Sequence, residues 1–310
     1  MKRSPLPFPA AVAIRVGPAG WGRARTDHST CGRGLPALAL TLAGGLLLAA
    51  VLPVPALAQA LPAGANDALE RLNSSPRHGE WVSFDAGGGD SVRAWMVFPE
   101  RPDPAPVVVV IHEIFGLTDW IRAVADQLAA EGFVAIAPDL LSGMGPDGGG
   151  TESVDQQGAT ALIRELTRDD ANRRIRAAGM HAAAHPAALA RIGAVGFCWG
   201  GTASFHIAAT WPELDAAVVY YGSSPEAEVV ERVHAPLLGL YAGDDARVNV
   251  TIDPARELLA AREHRFEVEM YEGSGHGFLR QQDGRDGANL RATEAAWPRT
   301  IEFLRDILAR

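Results

Sequence analysis

The sequence predicts an α/β fold in which a mostly parallel central sheet carries helices on both faces and is preceded by an N-terminal hairpin. Two observations support this prediction. From residue 107 onward, short apolar runs alternate with longer amphipathic stretches, and strands that are buried on both faces of a parallel sheet are expected to be continuously apolar. The chain, at 310 residues, is also long enough for one large domain and a separate N-terminal segment.

The elements follow from this pattern in chain order. Residues 80–86 and 91–98 alternate apolar and polar side chains around a glycine-rich turn, which predicts the hairpin. The six strands expected after it are the apolar runs at residues 107–111, 133–137, 192–197, 216–220, 237–241 and 266–271. The helices expected between and after these strands lie near residues 119–131, 153–184, 200–209, 226–232, 254–263 and 288–309.

Residues 1–58 have the organisation of a signal peptide with a long basic region. Six basic residues precede an almost uninterrupted apolar run at residues 35–52, and an A-x-A cleavage pattern ends at Ala58. An uncleaved membrane anchor is the alternative, because the apolar run is close to the minimum length of a membrane span. Pro53, Pro55 and the small residues favour cleavage after Ala58, so we predict a periplasmic or secreted protein.

The mature chain would then comprise an N-terminal arm at residues 59–79 and one domain at residues 80–310. Residues 1–58 hold six of the 28 basic residues and one of the 37 acidic residues, which leaves 22 basic and 36 acidic residues and a formal net charge of −14. This acidity disfavours nucleic acid and anionic membrane surfaces as partners. We expect a monomer that acts on a small molecule and has no stable membrane partner once the signal peptide is cleaved.

Two residue types are scarce, and their scarcity excludes several kinds of chemistry. The one lysine is Lys2, so the mature chain has none for a Walker phosphate loop or for a Schiff base with pyridoxal phosphate. The cysteines are Cys31 and Cys198, so the mature chain can form no internal disulfide and no cysteine-based metal site. His181 and His185 have the spacing of a helical metal pair, but no third ligand lies near them in the sequence. We therefore predict no metal and no cofactor.

The residues around Cys198 indicate a nucleophile. Cys198 follows the apolar run at residues 192–197 and lies between Gly196 and Gly200 in the pattern G-x-C-x-G. This pattern is a nucleophile elbow, in which a strand turns sharply into a helix, with cysteine at the position usually held by serine. The glycines keep the turn free of side chains, and the N-terminus of the following helix is expected to favour the thiolate. The alternative is a small buried cysteine that only packs.

A thiol nucleophile needs a base and an orienting acid, and both follow in the order nucleophile, acid, histidine. His276 lies between two glycines after the strand predicted at residues 266–271, and we expect it to accept the thiol proton. Asp244 and Asp245 follow the strand predicted at residues 237–241, and either could orient the imidazole. We favour Asp245, because the second carboxylate after the glycine is the usual position of the acid, and we interpret Asp244 as a turn or capping residue.

The oxyanion hole is predicted from a second segment. Glu113 and Ile114 follow the strand predicted at residues 107–111 and precede a helix. In this kind of fold, the loop at this place supplies one oxyanion N–H, and the residue after the nucleophile supplies the other. We therefore assign the oxyanion hole to the backbone N–H groups of Ile114 and Trp199.

A glycine-rich stretch at residues 141–151 leaves the carboxyl end of a predicted strand. Ligands bind at that edge of parallel sheets, so the stretch could line the site. It could equally be a surface connection, and the sequence does not distinguish the two.

With these motifs together, the sequence resembles the dienelactone hydrolases (carboxymethylenebutenolidases), a family of the α/β-hydrolase superfamily. The resemblance covers roughly residues 80–308. The motifs that carry it are Glu113-Ile114-Phe115-Gly116, Pro138-Asp139-Leu140, Gly196-Phe197-Cys198-Trp199-Gly200-Gly201, Gly243-Asp244-Asp245 and Gly275-His276-Gly277-Phe278. The resemblance implies an α/β-hydrolase fold and the hydrolysis of an enol-lactone through a thioester acyl-enzyme.

The resemblance also implies the roles of individual residues. It implies a triad of Cys198, His276 and Asp245, and a Glu113 that contacts the resting thiol and is displaced by substrate, so that the thiolate forms on demand. In the family, two arginines grip the substrate carboxylate, and one of them matches Arg280, four residues after His276. The other would follow residues 138–140, where this chain has no arginine. We therefore interpret the protein as an exported relative that hydrolyses a different ester or lactone.

Two other functions stay open. An enzyme that cleaves thioesters or peptides would use the same thiol chemistry, although the chain shows no recognisable insertion that would form a peptide groove. A non-catalytic binding protein could keep the same fold, although the complete set of triad and oxyanion residues argues against it.

Overall fold

The computed structural model describes residues 60–309, which fold around one eight-stranded sheet. The strands are β1 (Gly79–Asp85), β2 (Ser91–Val97), β3 (Ala105–Ile111), β4 (Val134–Pro138), β5 (Ala188–Phe197), β6 (Ala216–Tyr220), β7 (Leu237–Asp244) and β8 (Phe266–Gly275). The α-helices are α1 (Ala68–Asn73), α2 (Asp119–Ala130), α3 (Gln156–Glu165), α4 (Arg168–Ala183), α5 (Trp199–Thr210), α6 (Ala227–Val230), α7 (Ala246–Asn249), α8 (Ile252–Ala260) and α9 (Ala288–Leu308). The predicted signal peptide and its cleavage site lie outside the described residues.

The sheet confirms the predicted fold class. Its strand order is β1-β2-β4-β3-β5-β6-β7-β8. β1 and β2 form the predicted antiparallel hairpin at one edge, and β2 pairs antiparallel with β4. The strands from β3 to β8 are all parallel. The carboxyl ends of six strands therefore meet at one edge of the sheet, which is where this architecture positions a site.

Helices cover both faces of the sheet, and alternate side chains of each strand enter two separate cores. In β3, Val108 and Val110 pack in the core beneath α2 and α9. Val107, Val109 and Ile111 pack in the core beneath α4, α5 and α8. Every residue of β3 is buried, which explains why the strand reads as one apolar run in the sequence.

The single long helix predicted at residues 153–184 is wrong, because the structure has two helices there. α3 ends at Glu165, and Leu166 and Thr167 adopt extended backbone angles. The Thr167 hydroxyl then accepts a hydrogen bond from the Asp170 N–H at 3.1 Å and caps α4. A threonine followed three residues later by an acidic residue is a helix start signal, and the structure uses it in the middle of the predicted helix. The new helix start brings Arg168 to the first position of α4.

The N-terminal arm is more ordered than its composition suggests. Within it, α1 packs against α2, and Ala63 is buried. The indole N–H of Trp120 donates to the Ala63 carbonyl at 3.1 Å, and the Ala65 N–H donates to the Arg280 carbonyl at 2.9 Å. The arm is therefore fixed to the segment that follows β8. Across residues 60–309, none of the helices combines the length and the apolar character that crossing a bilayer requires.

Candidate active site

Cys198 lies at the sharp turn from β5 into α5, at the carboxyl edge of the sheet. Its φ of 56° and ψ of −114° are rare for a residue other than glycine, and such angles persist only where the surrounding structure enforces them. A side chain at Gly196 would collide with the Gly200 carbonyl, and one at Gly200 would collide with the His112 carbonyl. Both glycines are therefore required, as the elbow pattern predicts. The turn presents Cys198 to a cleft of about 280 Å³.

The same edge brings the predicted acid and base together. Asp245 follows β7 and His276 follows β8, and the His276 Nδ1 lies 2.5 Å from the Asp245 Oδ2. Asp245 is only 8% exposed, whereas Asp244 pairs with Arg285 at the surface. The contact at Nδ1 leaves Nε2 to face a thiol or a substrate. Within residues 60–309 the ring makes no hydrogen bond to the thiol, a contact that commonly tightens only when substrate binds.

The N-terminus of α5 acts on the thiol in the predicted direction, but other groups around the sulfur outweigh it. Burial, followed by the negative charge of Glu113, raises the pKa of Cys198 to about 11. The Trp199 N–H and the positive charge of Arg247 act in the opposite direction, but they are outweighed. At neutral pH the sulfur must therefore lose its proton during a reaction, and this requires a base close by.

Glu113 is buried at the end of β3 and is paired with Arg280. The Arg280 Nε lies 2.7 Å from the Glu113 Oε2, so the two side chains form an ion pair. Burial raises the pKa of Glu113 to about 7, and Arg280 opposes that rise. Glu113 makes no hydrogen bond to Cys198 among the described residues; it acts on the thiol through its charge.

His112 holds one of the candidate oxyanion donors in place, a role that the sequence did not reveal. The imidazole of His112 is fully buried. Its Nδ1 lies 2.7 Å from the Glu113 carbonyl, and its Nε2 accepts the Leu140 N–H at 3.2 Å. These contacts require a neutral ring that donates from Nδ1, and burial lowers the pKa of His112, which favours that form. The Glu113 carbonyl and the Ile114 N–H belong to one peptide group, so His112 fixes the direction of that N–H.

The surroundings of the Ile114 and Trp199 N–H groups fit their predicted role as oxyanion donors. Over residues 60–309, the Ile114 N–H finds no hydrogen-bond acceptor. Trp199 is the first residue of α5, and its N–H points toward the sulfur of Cys198. Both residues also line the cleft. An N–H without an acceptor at Ile114 and a helix N-terminal N–H at Trp199, both beside the nucleophile, suit the stabilisation of an oxyanion.

Sequence reasoning missed five other residues that line this cleft: Arg168, Thr202, Tyr221, Ser223 and Arg247. Tyr221 follows β6 with a φ of 40°, and its ring meets the His276 ring edge-on at 5.1 Å. Its hydroxyl is buried and has no hydrogen-bond partner among residues 60–309. No sequence motif indicates Arg168, Tyr221 or Arg247, because the topology of the sheet brings them together from distant parts of the chain. The threonine cap at residue 167 was the one local signal, since it begins the helix that starts with Arg168.

The stretch at residues 141–151 reaches a neighbouring cavity and is absent from the lining of the Cys198 cleft. Thr151 anchors its end, because its hydroxyl donates to Asp139 at 2.7 Å and accepts the Leu117 N–H at 2.9 Å. Together with Phe115 and Arg280, Thr151 lines a cavity of about 360 Å³. The stretch is therefore tied to the active-site side of the sheet without contacting the thiol's own cleft.

The two histidines with metal-ligand spacing pack against aromatic rings. The His181 ring stacks on Phe84 at 5.1 Å, and the His185 ring lies 4.7 Å from Phe98. Burial, followed by the charge of His185, lowers the pKa of His181. In the part of the chain that the structure describes, no cluster of three or more histidine, cysteine or acidic side chains is arranged to hold a metal ion.

Comparisons with known proteins show which family this chain resembles in sequence and in fold. A sequence model of the dienelactone hydrolase family matches residues 92–308. A protein of Escherichia coli K12 named "Putative carboxymethylenebutenolidase" is 31% identical over 233 residues, which cover 70% of this chain and 83% of that protein. A protein of Saccharolobus solfataricus with the same name is 29% identical over 257 residues, which cover 73% of this chain and 98% of the relative.

A solved structure is also similar. The crystal structure of a "Putative Dienelactone Hydrolase" from Klebsiella pneumoniae superposes with a TM-score of 0.60 at 28% identity. The match covers 73% of this chain and 97% of the Klebsiella chain. The similarity therefore extends over nearly the whole of the other protein and over most of the residues described here.

Proposed function

This chain belongs to the dienelactone hydrolase family and is a hydrolase that acts on carboxylic ester bonds, and we propose that it cleaves small esters or lactones through the thiol of Cys198. His276 is the base and Asp245 is its orienting acid. The observation that carries the proposal is the 2.5 Å contact between His276 and Asp245 at the same sheet edge as the strained elbow of Cys198. A strained nucleophile turn beside an oriented histidine is the arrangement that thiol acyl transfer needs.

In the first half of the reaction, His276 Nε2 takes the proton of Cys198 while the sulfur attacks the carbonyl carbon of the ester. The negative charge that develops on the carbonyl oxygen is stabilised by the N–H groups of Ile114 and Trp199. The tetrahedral intermediate then collapses, and the C–O bond of the ester breaks. The leaving alkoxide takes the proton from His276. The acyl group remains on the sulfur as a thioester.

In the second half, water replaces the alcohol. His276 takes a proton from the water as its oxygen attacks the thioester carbon, and the same two N–H groups stabilise the new oxyanion. The C–S bond breaks, and the thiol recovers its proton from His276. The high pKa of the resting thiol makes this returned proton stable, so each cycle begins from the neutral pair.

Glu113 and Arg280 are proposed to control the thiol and to contact the substrate. The charge of Glu113 helps to keep the thiol protonated. A substrate that displaces or neutralises this carboxylate would lower the pKa of Cys198 and so assist its deprotonation. Arg280, which lines the neighbouring cavity, would then be released from its ion pair and could contact the substrate.

We also propose that the protein is exported and acts as a monomer. The proposal of export rests on the basic and apolar segments of residues 1–58. N-terminal sequencing of the protein from its native host is expected to begin at Gln59, and an intact N-terminus would contradict cleavage. Light scattering of the purified protein is expected to give the mass of one chain.

Hydrolysis of a small panel tests the catalytic proposal. The panel comprises 4-nitrophenyl acetate, a dienelactone and a simple γ-lactone, and the proteins are the full chain, Cys198→Ala and the matched control Asp244→Asn. We expect the parent and the control to hydrolyse at least one substrate and Cys198→Ala to lose the activity. Mass spectrometry of the parent, quenched during turnover of the acetate, is expected to find acetyl on the peptide that contains Cys198.

Each of three results of the hydrolysis panel would contradict a different part of the proposal. If Cys198→Ala retains the parental rate, the thiol is not the nucleophile. If no substrate class is hydrolysed and no acylated peptide forms, the proposed reaction is wrong although the fold and family remain. If the dienelactone is the best substrate, the proposal of a different ester or lactone is wrong.

A further inference from the structure

Tyr221 is held in a strained backbone conformation beside the nucleophile. Its φ of 40° is rare for a bulky side chain, and residues in such conformations cluster at functional sites. Cys198, at the end of the neighbouring strand β5, also has a positive φ. Cys198 donates its N–H to the Tyr220 carbonyl at 3.0 Å, and Tyr221 donates its N–H to the Leu240 carbonyl at 2.9 Å. One peptide group therefore ties the turn of Tyr221 to the elbow on one side and to β7 on the other.

The hydroxyl of Tyr221 is a buried donor that lacks an acceptor. The side chain is fully buried, and the hydroxyl has no hydrogen-bond partner among residues 60–309. The Tyr241 hydroxyl also lacks a hydrogen bond in that range, but the Ser224 hydroxyl lies beside it. Leaving a buried hydroxyl without a partner costs free energy. Because Tyr221 lines the Cys198 cleft, a molecule that enters the cleft can supply the missing acceptor.

Tyr221 lies on the histidine side of the nucleophile. Its ring meets the His276 ring edge-on, with the two centres 5.1 Å apart. The candidate oxyanion donors come from Ile114 and Trp199, at the end of β3 and the start of α5. An ester whose carbonyl oxygen lies at those donors must turn its other oxygen toward His276, because His276 gives that oxygen its proton. The leaving oxygen is therefore expected on the side of the cleft where Tyr221 lies.

The hydroxyl of Tyr221 remains protonated at neutral pH. Burial, followed by the charges of Glu113 and Cys198, raises the pKa of Tyr221 well above its usual value. The hydroxyl is thus close enough to the thiol for the charge of one group to act on the other. A neutral O–H in this position can donate a hydrogen bond to developing negative charge without giving up its proton.

We propose that Tyr221 is a catalytic residue whose hydroxyl donates a hydrogen bond to the ester oxygen that leaves as the alkoxide. The electron pair of the breaking C–O bond moves to that oxygen, His276 supplies the proton, and Tyr221 keeps its own. The proposal rests on the proposed thiol hydrolysis at Cys198. It suits the site to alkyl esters and aliphatic lactones, because their alkoxides are poor leaving groups that need the most stabilisation.

Esters with different leaving groups test this role. The substrates are 4-nitrophenyl acetate, phenyl acetate and ethyl acetate, whose leaving oxygens are increasingly basic. The rate constant compared is kcat/KM, because it reports the acylation half of the reaction. Tyr221→Phe keeps the ring and removes the hydroxyl. We expect it to lower kcat/KM by about 30-fold for ethyl acetate, by about tenfold for phenyl acetate and by less than about twofold for 4-nitrophenyl acetate.

Tyr271→Phe is the matched control. The Tyr271 ring also packs edge-on against Phe278, as the Tyr221 ring does. Its hydroxyl, however, donates to Glu269 at 2.9 Å, and the residue does not line the Cys198 cleft. We expect Tyr271→Phe to change kcat/KM by less than about twofold for every substrate. If Tyr221→Phe lowers all three rates by the same factor, or lowers none, the proposal is overturned, because the hydroxyl then makes no contact with the leaving oxygen.

The same three esters, measured with Cys198→Ala, distinguish failure of this proposal from failure of thiol hydrolysis. Loss of activity in Cys198→Ala together with a graded loss in Tyr221→Phe would support both proposals. Loss of activity in Cys198→Ala together with a uniform effect of Tyr221→Phe would overturn the role of Tyr221 and leave the thiol hydrolase standing. Parental rates in Cys198→Ala, or no hydrolysis by the parent, would overturn both.

Discussion

The two flanks of Cys198 balance charge in opposite ways. We use "paired flank" for Glu113 with Arg280 and Asp245 with His276, and "unpaired flank" for Arg168 and Arg247. On the paired flank each carboxylate has a basic partner within 2.7 Å. On the unpaired flank neither guanidinium has an acidic partner among the described residues. The difference indicates that the groups assigned to the reaction have their charges satisfied before substrate arrives, whereas the two guanidinium groups of the unpaired flank do not.

The largest expected effect tests whether the paired flank is catalytic. Asp245→Asn keeps the shape of the side chain but removes the charge that holds the His276 tautomer, and we expect kcat on a 4-nitrophenyl ester to fall about 10³-fold. Asp244→Asn is the matched control, because its partner is the surface residue Arg285. Equal losses in the two variants would mean that the 2.5 Å contact has no catalytic role.

Measurements of unfolding free energy test directly whether the two flanks differ in how their charges are balanced. Arg280→Met leaves Glu113 buried without its cation, and we expect the free energy of unfolding to fall by about 3 kcal/mol. Arg168→Met removes a cation that has no acidic partner, so its effect is expected to be near zero or slightly stabilising. Urea denaturation at pH 7.5 measures both. Similar losses in the two variants would show that the flanks are not balanced differently.

The next largest expected effect is the change of folding stability with pH that Glu113 causes. The pKa of Glu113 rises from an ordinary 4.5 to about 7 on folding, because of burial. The folded state therefore binds this proton more tightly, so the stability contributed by Glu113 is complete below pH 4.5 and is lost as the pH rises through about 7.

Glu113→Gln is the reference for that measurement, because glutamine does not titrate. Relative to this variant, the parent is expected to lose about 3 kcal/mol between pH 4.5 and pH 8, with most of the loss complete by pH 7. Urea midpoints across this range test the prediction. A constant difference between the two proteins would mean that Glu113 has an ordinary pKa.

The smallest expected effect concerns the support of the oxyanion hole. His112→Ala removes the group that fixes the Glu113 carbonyl, and we expect kcat to fall about tenfold with KM changed less, because the Ile114 N–H matters mainly in the transition state. His112→Gln can still donate to that carbonyl and is expected to recover part of the loss. An Ala variant with parental kcat would show that His112 only packs.

Much of the fold was predictable because its signals are local. The continuous apolar runs located β3 to β8, and the elbow, the aspartate pair and the glycine-flanked histidine each lie at the end of one of those strands. The order of the motifs then fixed which residues could meet. The prediction of one continuous helix at residues 153–184 was wrong. Thr167 caps a new helix there, although the helical pattern of the sequence continues on both sides of it.

The charges around the thiol could not be predicted in the same way. The helix N-terminus at Trp199 is a local feature and does act in the expected direction, but burial and Glu113 outweigh it. Both depend on how deeply the sulfur lies and on what the end of β3 places beside it. The same holds for Arg168 and Arg247, which are 79 residues apart in the sequence and share a cleft only after folding.

The raised pKa of Cys198 has a consequence for the lifetime of the protein in oxidising surroundings. Peroxide attacks thiolates, and with a pKa of about 11 only about one Cys198 in 10⁴ is ionised at pH 7. Within residues 60–309 this is the one cysteine, so no neighbouring thiol can form a disulfide with it. A nucleophile that ionises only during turnover is also one that resists chemical ageing between turnovers.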